Sequence, residues 1–376
     1  MPIILSICGD PGGAAALAPV LTALHKIEDL EIVNFAYSHA RGVLGKRNIS
    51  YRALTDETSR EEVKRCFDEV QPDALFTATS LNGINLEHLF IDEALERGIY
   101  SLAVMDFWSN YRARFESAKK TFHLPDEIAV MDDFAAQEME KQGFVKDRLI
   151  VTGQPALDDL VADRSSDRKE LATHLRSDIG VTAETLVVAF VSQPPIGEWG
   201  ADENHPKYPG FSKSTVLPML INALEQISKD SKRSVALVIR PHPREKEDDF
   251  SWVASEKIKV LVHREGNSRK FVQACDLVTG MNSVLLLEAS LLGCTVLSLQ
   301  PGARFDDCLP STRMGLSGCA RKPEDVQPML RAFLLDEATR SSYRSRCENV
   351  VLPVDATDRV VAHLSKQLKT RQHSLS

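Results

Sequence analysis

The chain has 376 residues, of which 45 are Lys or Arg and 53 are Asp or Glu, so its formal net charge is −8 at pH 7. This length suggests about two domains, each large enough to bury its own core. An acidic chain has no overall field to attract a phosphate backbone, which argues against an electrostatic nucleic-acid binder. Hydrophobic residues at 43% and charged residues at 26% are typical of folded domains and exclude global disorder.

The cysteines and the N-terminus indicate the cellular compartment. The 7 cysteines are scattered without CxxC pairs, so neither a disulfide framework nor a zinc ribbon is indicated. No apolar run approaches the roughly 20 residues that span a bilayer, and residues 1–8 lack the basic segment of a signal peptide. We therefore expect a reduced, soluble protein of the cytoplasm.

Short apolar runs alternate with amphipathic stretches along the first part of the chain. The runs that predict strands are Ile3–Cys8, Glu31–Ala36, Ala74–Thr77, Ser101–Met105 and Ile128–Met131. The stretches that predict helices are Ala14–Lys26, Arg60–Val70, Leu86–Arg97 and Asp132–Gln142. Alternation of this kind is typical of βαβ units, which build a parallel sheet.

The same pattern restarts after residue 150. Strands are predicted at Leu186–Val191, Val235–Ile239, Lys259–Val262, Leu277–Thr279 and Thr295–Leu299. Helices are predicted at Thr215–Ser228, Ser268–Ala274, Ser283–Leu292 and Pro323–Leu335. The fold class expected from both series is α/β, with two Rossmann-like, doubly wound parallel-sheet domains facing across a cleft.

A polar run, VADRSSDR at residues 161–168, separates the two series and predicts a hinge followed by a helix start. We therefore predict an N-terminal, acceptor-side domain over residues 1–160 and a nucleotide-sugar-binding domain over 161–350. A C-terminal helix and tail would occupy 351–376, and the stretch 337–369 is predicted to be helical apart from Pro353.

The first candidate site is the run GDPGG at residues 9–13, which joins the first predicted strand to the first helix. Gly12 and Gly13 allow close backbone approach, and a helix N-terminus offers free N–H groups to an anion or a sugar oxygen. The run is neither GxGxxG nor a P-loop, and a tight turn whose small residues only relieve crowding explains it equally well. Because ligands favour the carboxyl ends of parallel strands, Asp10 is our first candidate for a general base.

The second candidate is the loop MDFWSNYRARF at residues 105–115, which follows a predicted strand and contains four aromatic residues. In a chain that is only 6% aromatic, such a loop stands out as a surface able to stack on a ring. Its polar residues Asp106, Asn110, Arg112 and Arg114 would then contact an acceptor. The alternative is a loop whose aromatic residues only cover the edge of the sheet.

The third candidate is the run RPHPRE at residues 240–245, which leaves an apolar strand. The two prolines restrict the backbone on both sides of His242, so that the imidazole is held in one orientation. Together with Arg240 and Arg244 it suits a phosphate or a diphosphate. A lone histidine is more often structural, but one between two prolines at a strand end is less ordinary.

The fourth candidate is the helix predicted over Ser283–Leu292, which is apolar nearly all round and therefore buried on several sides. Asn282 or Ser283 caps this helix, and Gly293 closes it. Its one charge, Glu288, must find donors, because an unpaired buried carboxylate is costly. These donors are either an arginine or backbone amides, or else ribose hydroxyls beside a phosphate at the helix N-terminus. A capped N-terminus and an inward carboxylate on one helix favour the second interpretation.

Other chemical signatures are missing from the sequence. It has no HExxH, GxSxG or kinase motif, and no DxD-like run after a strand that would hold Mg²⁺. The acidic pairs at 132–133 and 248–249 fit helix starts, where negative charge complements the helix dipole. We therefore expect neither a metal site nor a cofactor.

These motifs carry a resemblance to a known superfamily. Two Rossmann-like halves, a glycine-rich first loop, and a small-residue turn into a helix that bears Ser283 and Glu288 resemble the GT-B glycosyltransferases. The run VTGQPALD at 151–158 is similar to the segment that closes the first domain of the non-hydrolysing UDP-N-acetylglucosamine 2-epimerases, which share that fold. The run RPHP at 240–243 resembles the His-Pro element of bacterial sialyl- and polysialyltransferases and of the glycerophosphotransferases of teichoic acid synthesis.

The resemblance implies a nucleotide sugar, UDP- or CMP-linked, that is held by the second domain, with the base and the acceptor on the first. The residues it assigns to the nucleotide sugar are Gly12, Gly13, Gln193, Arg240, His242, Arg244, Asn282, Ser283 and Glu288. The catalytic candidates are Asp10, Asp106 and His242. The residues assigned to the acceptor are Asn110, Arg112 and Arg114.

The function expected from the sequence is a metal-independent, inverting glycosyltransferase of surface polysaccharide or glycoconjugate synthesis. Asp10 or Asp106 would deprotonate the hydroxyl of a glycan or small-molecule acceptor, and donors of the second domain would stabilise the departing phosphate. One alternative is a UDP-N-acetylglucosamine 2-epimerase, although the first loop lacks the Arg-Pro-Glu element of those enzymes. A second alternative is a non-catalytic nucleotide-sugar-binding protein on the same fold.

Overall fold

The computed structural model of the protein describes residues 1–163, 167–194, 202–348 and 355–375. The strands are β1 (Ile3–Cys8), β2 (Glu31–Ala36), β3 (Arg52–Ala53), β4 (Ala74–Thr77), β5 (Tyr100–Val104), β6 (Glu127–Val130), β7 (Leu149–Val151), β8 (Leu186–Val191), β9 (Val235–Arg240), β10 (Lys259–Val262), β11 (Leu277–Gly280), β12 (Val296–Leu299) and β13 (Gly318–Ala320). The helices of the first series are α1 (Pro11–Leu24), α2 (Ala40–Lys46), α3 (Arg60–Val70), α4 (Leu86–Glu96) and α5 (Asp133–Lys141). The later helices are α6 (Leu160–Asp163), α7 (Arg168–Asp178), α8 (Lys213–Ser231), α9 (Ser268–Gln273), α10 (Val284–Leu291), α11 (Pro310–Arg313), α12 (Pro323–Leu335), α13 (Glu337–Glu348) and α14 (Ala356–Leu375).

These strands form two parallel sheets. The first has the order β3-β2-β1-β4-β5-β6-β7 and the second the order β10-β9-β8-β11-β12-β13. Every pair of neighbours in both sheets is parallel. In each sheet the strand order reverses beside the first strand, between β1 and β4 and between β8 and β11. Such a reversal opens a crevice at the carboxyl ends of the strands, where ligands of doubly wound folds bind.

Helices cover both faces of the first sheet, which explains why its strands are apolar throughout. Successive side chains of β1 alternate between the two faces, so that Ile4 joins one apolar cluster and Leu5 the other. Leu17 of α1 lies in the first cluster, and Phe67 of α3 and Phe90 of α4 lie in the second. In the second sheet, β8 is buried along its whole length.

Most of the longer elements confirm the predictions to within a few residues. The first helix begins at Pro11 rather than Ala14, because proline at the first helical position needs no N–H donor and has a preset φ. The sequence analysis missed β3, β7, β13, α2, α6 and α11. These are short elements, and β3 consists of two exposed residues at the edge of the sheet, so no hydrophobic period marks it.

The predicted hinge at 161–168 lies partly outside the described residues. Before it, α6 ends at Asp163, and after it the side chain of Asp167 accepts hydrogen bonds from the backbone N–H groups of Lys169 and Glu170 at 2.9 and 3.3 Å. Asp167 therefore caps α7, and the predicted helix start is confirmed.

The chain divides into two compact units. One comprises Met1–Asp158 together with Pro353–Ser376, and the other comprises Asp159–Leu352. The C-terminal helix α14 therefore belongs to the unit of the first sheet. Its residues Val360, Leu364 and Leu368, spaced four apart on one face, lie in the apolar cluster of α1.

Polar contacts also fix α14 to the first unit. The carboxylate of Asp158 accepts hydrogen bonds from the N–H groups of Ala356 and Thr357 at 3.3 and 2.7 Å, which satisfies orphan donors at the start of the helix. About two turns further along the helix, His363 Nε2 lies 2.6 Å from Oε2 of Glu127, on β6. The end of the chain thus contributes to the core of the first unit.

We expect Leu364→Ala to lower the free energy of unfolding by about 2–5 kcal/mol, because it leaves a cavity in a fully buried cluster. The matched control is Lys366→Ala on the exposed side of the same helix, for which a change within about 0.5 kcal/mol is expected. Denaturant unfolding followed by circular dichroism measures both values. Equal losses in the two variants would contradict the docking of α14.

Candidate active site

The carboxyl ends of β1 and β4 are joined by hydrogen bonds of Asp10. Its backbone N–H donates to Oγ of Ser80 at 3.2 Å, and its side-chain Oδ2 accepts from the backbone N–H of Leu81 at 2.6 Å. Asp10 occupies the N-cap position of α1 but makes no side-chain capping bond. Its other oxygen, Oδ1, is buried and has no hydrogen-bond partner among the described residues. A buried acceptor without a donor is costly, so this oxygen is suited to receive a hydrogen bond from a ligand.

A second carboxylate, Glu87, lies behind this loop. Glu87 is 2% exposed, near the start of α4. Its Oε1 accepts from the N–H of Gly9 at 3.0 Å and from Oγ of Ser80 at 2.6 Å, and its Oε2 accepts from the hydroxyl of Tyr37 at 2.5 Å. Burial is the main cause that raises the pKa of Glu87 to about 7, and the nearby charge of Asp10 acts in the same direction.

The two glycines of the first loop make room for other parts of the protein. A Cβ on Gly12 would lie 2.2 Å from Oδ2 of Asp106, and one on Gly13 would lie 2.7 Å from Cβ of Ala78 and 2.8 Å from the carbonyl oxygen of Thr79. Both positions therefore require glycine because the first turn of α1 packs closely against the ends of β4 and β5. This favours the interpretation of the run as a tight turn that relieves crowding.

Asp106 follows β5 and is paired with Arg114. Arg114 is 5% exposed, and it bonds Oδ1 of Asp106, Oγ1 of Thr79 at 2.9 Å and the carbonyl oxygen of Ser109 at 3.2 Å. The carboxylate of Asp106 is thus neutralised by an adjacent guanidinium and lies against the first turn of α1. Of the two carboxylates proposed as bases, only Asp10 has a buried oxygen without a hydrogen-bond partner among the described residues.

The aromatic residues of loop 105–115 do not form the exposed stacking surface that the sequence suggested. Trp108, Tyr111 and Phe115 are 5%, 1% and 0% exposed. The indole N–H of Trp108 donates to Asp132 at 2.7 Å, and the Tyr111 hydroxyl donates to Glu138 at 2.8 Å. That prediction is wrong for these three rings, because the loop folds back into the core and uses them to attach α5.

The residues predicted to contact an acceptor have different environments. Arg114 is buried in the ion pair described above. Arg112 is exposed, lies 3.3 Å from Glu116 and stacks over the ring of Phe122 at 4.5 Å. Asn110 is exposed and has a φ of +58°, and its amide donates to Ser109 Oγ at 3.2 Å. Asn110 and Arg112 therefore have side chains at the surface, whereas Arg114 does not.

In the second unit, Arg240 holds a neighbouring loop. It is 7% exposed, and its guanidinium donates to the carbonyl oxygens of His263, Glu265 and Gly266 at 3.2, 2.5 and 2.7 Å. Burial lowers the pKa of Arg240 from its ordinary value, with the charge of Arg264 acting in the same direction. These bonds give Arg240 a structural role that needs no ligand.

His242 is fixed by its own loop and by a buried acid. Its Nδ1 accepts from the backbone N–H of Arg244 at 3.1 Å, so a neutral ring carries its proton on Nε2. Its own backbone N–H donates to Oε2 of Glu245 at 2.9 Å, and Oε1 of Glu245 accepts from Ser192 Oγ at 3.1 Å and from Lys213 Nζ at 2.9 Å. Nε of Arg244 is buried and has no hydrogen-bond partner among the described residues. An unpaired guanidinium N–H beside a fixed imidazole suits an anion.

Gln193 and Asn282 pair across the reversal point of the second sheet. Gln193 follows β8 and Asn282 follows β11, so each side chain extends from one of the two strands that flank the crevice. The amide of Gln193 donates to Asn282 Oδ1, and Gln193 Oε1 accepts from the backbone N–H of Asn282 at 3.2 Å. The amide of Asn282 in turn donates to Sγ of Cys308 at 3.4 Å.

Ser283 caps α10 by accepting a hydrogen bond from the N–H of Leu285 at 3.3 Å, and Gly293 follows the helix with a φ of +80°. Both predictions about the ends of this helix are confirmed.

Glu288 is paired with Arg269 at 3.0 Å, and Arg269 also lies 3.3 Å from Asp163. An arginine is thus the partner of Glu288 in this structure, the simpler of the two partners that the sequence allowed.

The four candidate positions of the second unit lie at the carboxyl ends of neighbouring strands of its sheet. Strands β9 and β11 flank β8, so His242 and Arg244, Gln193, and the start of α10 all follow adjacent carboxyl ends. Among the described residues, no group of three or more His, Cys, Asp or Glu side chains is arranged to hold a metal ion. Within the same residues, no helix has the length and apolar character needed to cross a membrane.

Sequence reasoning missed two buried carboxylates that support the candidate loops, Glu87 and Glu245. Glu87 lies in an ordinary amphipathic helix pattern, and its partners Gly9 and Tyr37 are distant in sequence. The only signal for Glu245 was its place directly after the RPHPR run. In both cases the role depends on long-range contacts that no local motif encodes.

No protein-family model and no curated protein matches the chain. Solved structures do match its fold. MnaA of S. aureus, solved with UDP, aligns with a TM-score of 0.70 and 14% identity over 98% of this chain and 97% of that one. UDP-GlcNAc 2-epimerase from Neisseria meningitidis, bound to UDP-GlcNAc, aligns with a TM-score of 0.68 and 14% identity over 97% of this chain and 100% of that one. Anabaena HepE, in complex with UDP and glucose, aligns with a TM-score of 0.63 and 14% identity over 100% of both chains.

These neighbours have the GT-B fold. The present chain has the same fold, with two parallel-sheet α/β domains, and the predicted fold class is confirmed. At 14% identity, the likeness concerns the fold alone.

The raised pKa of Glu87 makes stability depend on pH. Because the folded state holds this proton more tightly than the unfolded chain, the contribution of Glu87 is fully present below pH 4.5 and is lost as pH rises to about 7. Glu87→Gln removes this dependence. Between acidic and mildly alkaline pH, we therefore expect the free energy of unfolding of the wild type to fall by on the order of 3 kcal/mol relative to that of the variant.

Denaturant unfolding of both proteins across this pH range measures the difference. A constant offset between them would match a purely steric effect of the substitution and contradict the titration of Glu87.

Proposed function

We propose that the protein is an enzyme of the GT-B kind that acts on a nucleotide-activated sugar and transfers that sugar to an acceptor hydroxyl with inversion. The proposal is carried by Asp10 Oδ1, a buried carboxylate oxygen with no hydrogen-bond partner in the part of the chain that the structure describes, at the point where the strand order of the first sheet reverses. Catalytic groups of doubly wound folds lie at such points. A carboxylate whose second oxygen is fixed by a backbone N–H is held in place for proton transfer.

In the proposed reaction, the acceptor hydroxyl donates its hydrogen bond to Asp10 Oδ1. As the acceptor oxygen forms a bond to the anomeric carbon, its proton passes to Asp10, and the bond from that carbon to the phosphate oxygen breaks. The electron pair of the broken bond leaves with the nucleotide. Asp10 is preferred to Asp106 as the base because Arg114 already neutralises Asp106.

The second unit supplies donors for the departing phosphate in this proposal. Nε of Arg244 is a buried donor that has no partner among the residues that the structure describes, and the ring of His242 beside it is oriented by the Arg244 N–H. The N-terminus of α10, capped by Ser283, offers backbone N–H groups and the positive end of the helix dipole. Donors aimed at a developing negative charge lower the barrier, and the proposal assigns this role to these groups rather than to a metal ion.

The comparisons favour UDP as the nucleotide. The structures of MnaA and HepE were solved with UDP, and that of the Neisseria epimerase with UDP-GlcNAc. Glu288 would hold the ribose, which requires it to exchange its bond with Arg269 for bonds with hydroxyl groups. A thermal-shift series with UDP, CMP, CDP and GDP identifies the nucleotide, because a ligand of the folded state raises its stability.

A second candidate function is epimerisation of a UDP sugar at carbon 2. It is favoured by the 2-epimerase structures, which align with TM-scores of 0.64 to 0.69 over 97 to 99% of the chain. The first loop of this chain, GDPGG, lacks the Arg-Pro-Glu element of those enzymes. Incubation of the pure protein with UDP-GlcNAc alone separates the candidates, because an epimerase converts it without any acceptor and a transferase does not.

The test of the proposed base is Asp10→Asn. This change keeps the shape and the hydrogen bond from Leu81 but removes the proton acceptor, so we expect kcat for sugar transfer to fall by roughly 10²–10⁴-fold. The thermal shift produced by UDP should not change. The matched control is Asp73→Asn, which lies at the opposite end of the same sheet, where it accepts a hydrogen bond from Ile3 at 2.7 Å, and it should keep the wild-type rate.

An unchanged kcat in Asp10→Asn would rule out this residue as the base. UDP binding without any turnover of donor, with every acceptor tried, would favour a non-catalytic binding protein and overturn the proposal.

A further inference from the structure

Glu87 is a buried carboxylate that the proposed reaction does not use directly. Its side chain accepts three hydrogen bonds, from Gly9, Ser80 and Tyr37. Within residues 1–163, all of which are described, no Lys, Arg or His side chain is paired with it. A buried carboxylate that is balanced only by neutral donors is unusual, because one paired cation would lower the cost of its charge.

The partners of Glu87 are the same groups that hold Asp10 in place. Gly9 precedes Asp10 directly, and its N–H is fixed by Glu87 Oε1 at 3.0 Å. Ser80 donates its hydroxyl proton to Glu87 at 2.6 Å and accepts the N–H of Asp10 at 3.2 Å. The position of the Asp10 backbone is therefore set on both sides by bonds that end on one carboxylate.

We propose that Glu87 is a positioning residue for Asp10: in its ionised form it accepts the hydrogen bonds from Gly9 and Ser80 that fix the loop between β1 and α1, and so it holds the Asp10 carboxylate in place. The inference rests on the proposed function, in which Asp10 is the base. A base that is held at hydrogen-bond distance from the acceptor hydroxyl removes its proton faster, so ionised Glu87 favours the reaction.

The groups that face Glu87 show why its protonation is linked to Asp10. They are Cys8 on β1, Asp10 after it, and Tyr37 after β2, together with Ser80 after β4. The thiol of Cys8 and the phenol of Tyr37 stay neutral, because burial and the Glu87 charge both raise their pKa values. Asp10 is thus the titratable neighbour that carries charge, and its charge raises the pKa of Glu87.

Protonation of Glu87 changes its hydrogen bonds to the loop. A protonated carboxyl group donates through one of its oxygens and accepts less strongly, so the bonds from Gly9 and Ser80 are weakened. Because Glu87 titrates near pH 7, its charge is present in mildly alkaline solution and absent in mildly acidic solution. The rate of proton transfer to Asp10 should therefore rise through neutral pH.

The first experiment measures the coupling between Glu87 and Asp10 without any turnover. Infrared difference spectra over a pH titration follow the C=O band of protonated Glu87, which is assigned by its loss in Glu87→Gln. We expect a midpoint near pH 7 in the wild type and a lower midpoint in Asp10→Asn, because that change removes the neighbouring charge. An identical midpoint in both proteins would show that Glu87 does not act on Asp10 and would overturn the inference.

The second experiment is kinetic and uses Glu87→Gln, which mimics the protonated state. We expect its kcat to equal that of the wild type in mildly acidic solution and to fall below it, without the rise through neutral pH, in mildly alkaline solution. KM and the thermal shift by UDP should not change. Glu93→Gln, which removes another buried carboxylate of α4 that bonds Arg97 and not the loop, should keep the wild-type pH profile.

A uniform loss of kcat at every pH in Glu87→Gln would indicate a purely structural role. Tyr37→Phe supplies a graded variant: it removes one donor to Glu87, so both the infrared midpoint and the rise in kcat should move to higher pH by the same amount. Failure of the wild type to transfer sugar with any donor would overturn the proposed function, whereas the infrared titration would still decide whether Glu87 and Asp10 are coupled.

Discussion

The hydrogen bonds that join Asp10 to the end of β4 are the constraint on which the first candidate site depends. Strands β1 and β4 pair directly, but the helices that follow them, α1 and α4, pack on opposite faces of the sheet, so the loops after the two strands diverge. Two hydrogen bonds connect these loops. The backbone N–H of Asp10 donates to Ser80 Oγ, and the backbone N–H of Leu81 donates to Asp10 Oδ2. The other side-chain oxygen of this residue, Asp10 Oδ1, is buried and has no hydrogen-bond partner within the described ranges.

The second sheet solves the same geometric problem with different chemistry. Its crevice is bridged by the neutral amides of Gln193 and Asn282. Each candidate loop is also supported from behind by a buried glutamate, but Glu245 is paired with Lys213, whereas the bonds to Glu87 come from neutral donors. The first unit thus has an uncompensated carboxylate beside a candidate base, and the second has cationic and N–H donors suited to an anion. This difference agrees with the roles assigned to the two units.

The fold could be predicted from the sequence because apolar strands and amphipathic helices have recognisable patterns. β1, β2, β4, β8 and β10 begin and end at the predicted residues. Edge elements such as β3 could not be predicted, because exposed residues carry no hydrophobic pattern. The capping role of Ser283 was predictable because it depends only on the residue type at the start of the helix.

The candidate site was predictable only in part. A motif can place Asp10 or His242 at the end of a strand, because the strand order follows from the alternation of elements. It cannot tell which side chains are already satisfied within the domain. The bonds of Arg240 to three backbone carbonyls, and the burial of Trp108 and Tyr111, are decided by loops that return from elsewhere in the chain.

The most direct test of the central claim is a crystal structure of the protein with a nucleoside diphosphate and an acceptor bound. The account requires the acceptor hydroxyl oxygen to lie about 2.6–3.2 Å from Asp10 Oδ1, at hydrogen-bond distance. An acceptor hydroxyl bonded to Asp106 or to another group, with Asp10 Oδ1 still unpaired, would contradict it.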